Sequence, residues 1–182
     1  LEVPLAHDVW EARQLARLAE ETGVVTQMGN ERHSGNGIRK AVEMLWGGGL
    51  GPVREVYCWT NRPQWPQGMD RPKDQPPVPD GLNWDPFRWR GWTDFGTGAL
   101  GAMGCHLMDL AFWGLELGRA SMFTIEADST GLGQGSYPEA STIRYRFPAR
   151  GDLPPVQITW FDGGRRPAAP EQLPYLREVG SN

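Results

Sequence analysis

Apolar residues recur every three to four positions in three stretches of the chain, a spacing that predicts amphipathic helices. These stretches are residues 8–22, 36–46 and 102–117. Asp8 is a fitting N-cap for the first helix because Glu11 follows three residues later, as in a capping box. Gly23 is placed to end that helix, and Gly47 is placed to end the second.

Short apolar or alternating runs predict five strands. They cover residues 24–28, 53–60, 122–127, 141–147 and 156–161. The first of these directly follows a helix and a glycine, which is typical of half of a βαβ unit. The run over 141–147 alternates strictly, which predicts one buried and one solvated sheet face. We therefore expect an α+β fold, with a βα unit followed by helices packed on a mainly antiparallel sheet.

A connection over residues 62–98 concentrates tryptophan and proline. Five of the 9 tryptophans and seven of the 16 prolines lie between Trp59 and Asp94. Loops longer than about 12–15 residues are usually functional when they are ordered. Aromatic side chains suit the apolar faces of sugars, so this loop could be a sugar platform, and on that basis alone the chain could be a carbohydrate-binding module. The same tryptophans could equally anchor the loop to the body of the protein.

Charge and composition exclude several classes of protein. The net charge is −4, with 18 basic and 22 acidic residues, so a dedicated nucleic-acid binder is not expected. No apolar run approaches the roughly 20 residues that span a bilayer, so no membrane partner is expected either. Cys58 and Cys105 cannot form a disulfide scaffold. The chain opens at Leu1 rather than at Met, so we expect a fragment, and its compartment, cytoplasmic or periplasmic, stays open.

His106 and Asp109 are the most informative pair of polar residues. They are three positions apart, so a helix places both on one face, which Trp113 continues. Imidazole transfers protons near neutral pH because its ordinary pKa is about 6.5. A purely structural His–Asp contact has the same spacing, so both interpretations stay open. No third His or Cys lies at ligand spacing, and no metal site is predicted.

Two loops could contact a ligand. Residues 29–34 form a polar turn after a predicted strand, where α/β proteins commonly bind ligands, so His33 is a candidate contact. Ser34 or Asn36 could instead act simply as a helix cap. Residues 96–101 spell G-x-G-x-x-G, but no strand precedes them, so we interpret them as the entry to the third helix rather than as a dinucleotide loop.

Four segments resemble one known family. Residues 2–5 are similar to its EKPL motif, residues 26–34 to QMGNxxHS, residues 89–98 to WRGWxDFGTG, and residues 104–109 to GCHxxD. This is the family of bacterial glucose–fructose oxidoreductases and inositol dehydrogenases (Gfo/Idh/MocA). The resemblance covers most of residues 1–165. Its members have an N-terminal Rossmann domain and a C-terminal α/β domain, and they transfer a hydride between a sugar or polyol and NAD(P).

The resemblance implies a division of the chain and a set of partners. Residues 1–30 would be the end of a Rossmann-type dinucleotide-binding domain, and residues 31–165 a substrate and oligomerisation domain. Residues 166–182 would form an irregular tail. The implied partners are a small sugar or polyol, NAD or NADP in the intact protein, and further copies of the chain bound through the C-terminal sheet. For this last contact, the strand over 141–147 is expected to expose an apolar face that pairs with another copy.

The resemblance also implies roles for individual residues. His106 matches the histidine that transfers a proton. The implied substrate-binding residues are Asp109, His33, Trp92 and Asp94. The implied cofactor-binding residues are Glu2, Pro4, Gln27 and Asn30.

Two positions depart from the family's pattern. Val3 stands where the family has the lysine of EKP, and Ala102 stands where it has an aspartate one helical turn before the histidine. The glycine-rich dinucleotide fingerprint is not found in the chain either. We therefore expect a fragment of a sugar or polyol oxidoreductase that is inactive and binds no dinucleotide by itself. A non-catalytic relative that binds sugar or serves assembly is the alternative.

Overall fold

A well-capped helix opens the part of the chain that is described. The computed structural model describes residues 3–70 and 88–168. Helix α1, Val9–Thr22, starts where Asp8 Oδ1 accepts a hydrogen bond from the Glu11 N–H at 2.8 Å. The Glu11 carboxylate accepts in turn from the His7 N–H at 2.7 Å, and Gly23 ends the helix with φ of 64°. The predicted helix and its N-cap are confirmed, but the Glu11 carboxylate accepts from His7, one residue before the N-cap, rather than from Asp8 as in a full capping box.

The strand expected directly after α1 does not form. Residues 24–28 have extended or irregular backbone, and Val25 is 94% exposed. A strand needs a neighbouring strand for its backbone hydrogen bonds. None of the strands in the described ranges pairs with these residues. The prediction of a buried strand over 24–28 is therefore wrong, and α1 likewise buries none of its side chains.

A single four-stranded sheet forms the centre of the fold. Its strands are β1 (Glu55–Trp59), β2 (Thr124–Ser129), β3 (Ser141–Phe147) and β4 (Val156–Phe161). They lie in the order β1-β4-β3-β2, and only the β1–β4 pair is parallel. The predicted mainly antiparallel sheet with helices packed on it is confirmed, so the fold class is α+β.

The alternation along β3 determines which sheet face is buried. Tyr145 pairs with Ile158 and Ile143 with Trp160, so these side chains share one face with the core. Ile158 and Trp160 are fully buried. The buried core cluster comprises Cys58, Ala111, Leu115, Leu117, Phe147, Val156, Ile158 and Trp160. Thr142, Arg144 and Arg146 lie on the opposite face, which we call the open face.

The remaining helices cover the core. Helix α2 is Asn36–Trp46, as predicted. The predicted helix over 102–117 starts earlier and breaks at Met108, giving α3 (Gly98–Leu107) and α4 (Asp109–Gly114). Gly114 lets α2 approach α4 closely, since a Cβ there would lie 2.5 Å from Leu45 Cδ1. No helix in the described ranges has the length and apolarity needed to cross a membrane.

One buried carboxylate ties β3 to the end of β4. Asp162 is 4% exposed. Its Oδ2 accepts hydrogen bonds from the Ser141 hydroxyl at 2.9 Å and from the Trp160 indole N–H at 2.8 Å, and its Oδ1 accepts from the Ser141 backbone N–H. These three hydrogen bonds compensate for the removal of the carboxylate from water. The network also fixes Trp160 in the middle of the core.

Candidate functional site

The polar turn after α1 meets the junction of α3 and α4. The Asn30 side chain makes two hydrogen bonds across this contact. Its Nδ2 donates to the Cys105 carbonyl at 3.0 Å, and its Oδ1 lies 3.1 Å from His106 Nδ1. Both bonds connect residues about 75 positions apart in sequence. The structure therefore places His106 beside the turn that sequence analysis selected.

The Asn30 amide selects one tautomer of the His106 ring. Because Nδ2 donates to a carbonyl, the atom that faces the ring is the amide oxygen, which can only accept. His106 Nδ1 must therefore carry a hydrogen. In the neutral ring, Nε2 is then the unprotonated nitrogen. His106 Nε2 makes no hydrogen bond within the described part of the chain, so it is free to accept a proton from a ligand.

A second histidine contact lies one helical turn further on. His33 Nδ1 is 2.9 Å from Asp109 Oδ2, and its ring stacks on Trp113 with centroids 4.5 Å apart. The Asp109 side chain is only 17% exposed, whereas that of His33 is 49% exposed. Trp46 packs edge-on against the other side of Trp113 at 6.5 Å. His33 is therefore oriented by a carboxylate and by an aromatic plane.

Four residues selected from the sequence thus converge on one site, which we call the histidine site: Asn30, His33, His106 and Asp109. Ala102 lies on α3 one turn before His106 and is 5% exposed. Val3 and Pro4 are half-buried. Asn30 was predicted to bind a cofactor, and its contact with His106 was missed because only the fold brings the two together.

The other predicted site residues are less closely tied to His106. Trp92 forms a backbone bridge with Ser136, and the neighbouring Thr93 carbonyl accepts a hydrogen bond from His7 Nε2 at 2.8 Å. Asp94 is exposed, and so is Gln27. The roles of these residues stay predictions. Glu2 lies outside the described residues, and so do residues 71–87 of the tryptophan-rich loop, including Trp84.

Part of that loop is anchored to the protein body. Trp65 is buried, and its indole N–H donates to Gln67 Oε1 at 2.7 Å. Arg62 and Arg90 lie over its ring at 5.5 and 6.0 Å. Trp65 therefore has no open face for a sugar to stack on, which favours the anchoring interpretation for this tryptophan.

The G-x-G-x-x-G run at 96–101 is explained by internal packing. A Cβ on Gly96 would lie 2.4 Å from the Arg90 carbonyl oxygen, and one on Gly98 would lie 2.8 Å from the Tyr137 ring. A Cβ on Gly101 would lie 2.1 Å from Thr97 Oγ1. These glycines therefore make room for the protein's own atoms rather than for a phosphate. The interpretation of this run as the entry to a helix is supported.

Neither cysteine is arranged as a nucleophile. Burial raises the pKa of the Cys105 thiol, and the nearby charge of Asp109 raises it further. Burial raises the pKa of Cys58 to about 11, and its thiol donates to the Leu107 carbonyl at 3.4 Å. Both thiols stay protonated at neutral pH and are weak nucleophiles. In the described ranges, no group of three or more His, Cys, Asp or Glu side chains could hold a metal ion.

Comparison with known proteins shows which solved structures share the fold. No protein-family profile and no curated protein sequence matches this chain. Among solved structures, the WlbA dehydrogenase of Chromobacterium violaceum, in complex with NADH and UDP-GlcNAcA, matches with a TM-score of 0.59 and 14% identity over 88% of this chain. A levoglucosan dehydrogenase in complex with NADH and levoglucosan matches with a TM-score of 0.54 and 15% identity over 87%.

A repressor protein shares the same fold. A super-repressor mutant of Gal80p from Saccharomyces cerevisiae matches with a TM-score of 0.57 and 16% identity over 89% of this chain. The chain covers 40% of the length of each dehydrogenase and 41% of the length of Gal80p. Identities this low establish a shared fold. That fold is found in dehydrogenases and oxidoreductases and also in a protein described as a repressor.

Proposed function

We propose that the chain forms the substrate side of an NAD(P)-dependent oxidoreductase that acts on a sugar or polyol hydroxyl. The observation that supports this proposal is the Asn30–His106 hydrogen bond, which leaves His106 Nε2 as a free base. Oxidation of an alcohol requires a group that accepts the hydroxyl proton. The dehydrogenases that share the fold were solved with NADH and sugar-type ligands.

In this proposal, each residue of the histidine site has a distinct role. His106 Nε2 accepts the proton of the substrate hydroxyl. Asn30 holds the ring in the required tautomer through Nδ1. His33, held by Asp109, presents its Nε2 to a second hydroxyl of the substrate, and Trp113 fixes the plane of that ring. Polar groups held in this way suit a polyol, which offers several hydroxyls to be matched by donors and acceptors.

Within the described part of the chain, no carboxylate contacts the His106 ring, because Asp109 contacts His33 instead. The imidazolium that forms on His106 would be stabilised by a carboxylate, but Ala102 occupies the position one turn before it. Val3 has no hydrogen-bond donor for the substrate oxygen. We therefore propose that the chain has little activity as it stands. These two positions also favour the second candidate function, a sugar-binding relative that does not catalyse.

The orientation of His106 can be tested on the chain itself. We expect nitrogen-15 NMR above the titration range of the ring to show the tautomer protonated at Nδ1. Asn30→Leu removes the acceptor and is expected to shift the His106 ring toward the Nε2-protonated form. His7 is the control, because its Nε2 donates to the Thr93 carbonyl and its tautomer should not change. A ring of His106 protonated at Nε2 in the unaltered chain would contradict the proposal.

The described residues do not fit the pyrophosphate of a dinucleotide. Such groups bind at a glycine-rich turn between a strand and a helix N-terminus. In the described ranges, the G-x-G-x-x-G run at 96–101 is filled by atoms of Arg90, Tyr137 and Thr97, and the element directly before it is a short 3-10 helix rather than a strand. We predict that calorimetric titration of this chain with NADH or NADPH shows no saturable heat in the micromolar range. A micromolar dissociation constant would overturn this prediction.

Self-association through the sheet is the remaining part of the proposal, but on different residues from those expected. The apolar side of β3 faces the core, so it is not the exposed surface that the sequence suggested. On the open face, Tyr57 and Trp59 are 43% and 39% exposed, and the Tyr57 ring stacks on Phe161 at 6.4 Å. Exposed aromatic patches often mark interfaces.

We therefore predict that sedimentation velocity at tens of micromolar shows a dimer or larger species. Trp59→Glu with Tyr57→Glu is expected to give a monomer because charge replaces the aromatic surface. Trp10→Glu is the control. Trp10 is exposed on α1, away from the sheet, so this variant should leave the association unchanged. A sharp monomer for the unaltered chain would show that the open face is not an interface.

A further inference from the structure

A cavity separate from the histidine site opens between α2, the end of α4 and the β3–β4 connection. Its volume is about 290 Å³. Leu45, Leu115 and Leu153 give it apolar walls, and the Trp46 ring lines one side. Ligand sites for drug-sized molecules typically measure about 300–1,000 Å³, so this cavity suits a smaller molecule.

A buried cation forms one wall of this cavity. Arg150 is 4% exposed, although it lies in the turn after β3. Its Nε donates to the Leu115 carbonyl at 3.0 Å, and its Nη1 donates to the Pro148 carbonyl at 2.6 Å. These two bonds fix the guanidinium plane against the cavity. A guanidinium has five N–H donors, so three remain beyond these two bonds.

The Arg150 guanidinium has no carboxylate partner in the described part of the chain. Glu116 also lines the cavity, but its carboxylate pairs with Arg119, whose side chain is 63% exposed. Burial lowers the pKa of the Arg150 guanidinium and the charge of Glu116 opposes this, yet an arginine stays protonated in a protein. A buried positive charge normally has an anionic partner.

We propose that this cavity binds a small organic carboxylate with an apolar body. The carboxylate would accept hydrogen bonds from the free N–H groups of Arg150, whose fork geometry matches two carboxylate oxygens. The apolar body would lie against Leu45, Leu153 and the Trp46 ring. A neutral molecule of the same shape could fill the cavity, but it would leave the buried Arg150 charge unpaired. The cavity should therefore bind the carboxylate more tightly than a neutral isostere.

The test uses hexanoate and its neutral isostere hexanamide, neither of which absorbs where tryptophan does. We expect hexanoate to change the tryptophan emission of the 182-residue chain saturably. Hexanamide should bind at least about tenfold more weakly, because it cannot make the charged hydrogen bond to Arg150. Trp46→Phe is expected to abolish the change, which would place the ligand at this wall of the cavity. The absence of a saturable change, or equal binding of the two probes, would overturn the proposal.

Variants of the cavity strengthen the test. Arg150→Gln is expected to weaken hexanoate binding by about tenfold or more, because it removes the cation. Arg146→Gln, on the open face of the sheet, is the matched control and should bind normally. If Arg150→Gln does not fold, Leu153→Phe fills the cavity, leaves the Leu115 and Pro148 carbonyls that hold the Arg150 guanidinium in place, and should block binding. Unchanged hexanoate affinity in Leu153→Phe would refute this location.

Discussion

Val3→Lys combined with Ala102→Asp is expected to increase sugar-dependent NAD(P) reduction by about 10²–10⁴-fold when the chain is joined to a dinucleotide-binding domain. A positioned acid–base group typically contributes this much to a rate. Position 102 lies one turn before His106 on α3, so a carboxylate there can stabilise the imidazolium that forms. Position 3 would supply a charged donor for the substrate oxygen.

The control variant has side chains of similar size at positions 3 and 102 but without their charges. Val3→Met with Ala102→Asn fills the same space, and it should leave the rate near that of the unaltered residues. Ala102 is 5% exposed, so both the Asp and the Asn variant need a thermal unfolding curve to establish that they fold. Equal rates for the charged and uncharged pairs in folded proteins would show that the two positions do not limit catalysis.

Trp160→Ala is expected to destabilise the chain by about 3–5 kcal/mol, the usual cost of truncating a buried aromatic residue. Trp160 lies near the end of β4 and is completely buried, and its indole N–H donates to the buried Asp162. Its loss therefore creates a cavity and also removes a donor from a buried carboxylate. Small domains have only about 5–15 kcal/mol of stability, so this variant should be close to unfolding at room temperature.

Urea unfolding followed by circular dichroism measures this loss. Trp10→Ala is the matched control, because Trp10 lies on α1 away from the open face and is 67% exposed. We expect it to cost about 1 kcal/mol or less, provided that both proteins are compared at the same concentration. If the two variants lost similar amounts of stability, the core would not be centred on Trp160.

Local sequence patterns predicted most of the helices and strands. Asp8 and Gly23 bound α1 because capping depends on residues within one turn. Strict alternation predicted β3, but its apolar side lies against the core and is not exposed to another copy. Residues 24–28 have the composition of a strand, yet they form none, because strand formation depends on a partner that local composition does not specify. The break at Met108 was also missed, since no proline or glycine marks it.

The candidate site was only partly predictable for a related reason. The spacing of His106 and Asp109 predicted one helical face, whereas the break at Met108 puts them on α3 and α4. The polar turn after the predicted strand indicated His33. The role of Asn30 in orienting His106 depends on a contact between residues 76 positions apart, which spacing cannot show. Arg150 was missed because its burial arises from the packing of three separate elements, whereas an isolated arginine in a turn predicts an exposed side chain.

The central claim is that His106 transfers the proton of the substrate. The most direct measurement is kcat for His106→Ala in the protein that carries Val3→Lys and Ala102→Asp and is joined to a dinucleotide-binding domain. We predict a loss of about 10²-fold or more, with dinucleotide affinity nearly unchanged, while His7→Ala has little effect. A loss of less than about tenfold, well below the usual contribution of an acid–base group, would show instead that His106 is a structural residue of α3.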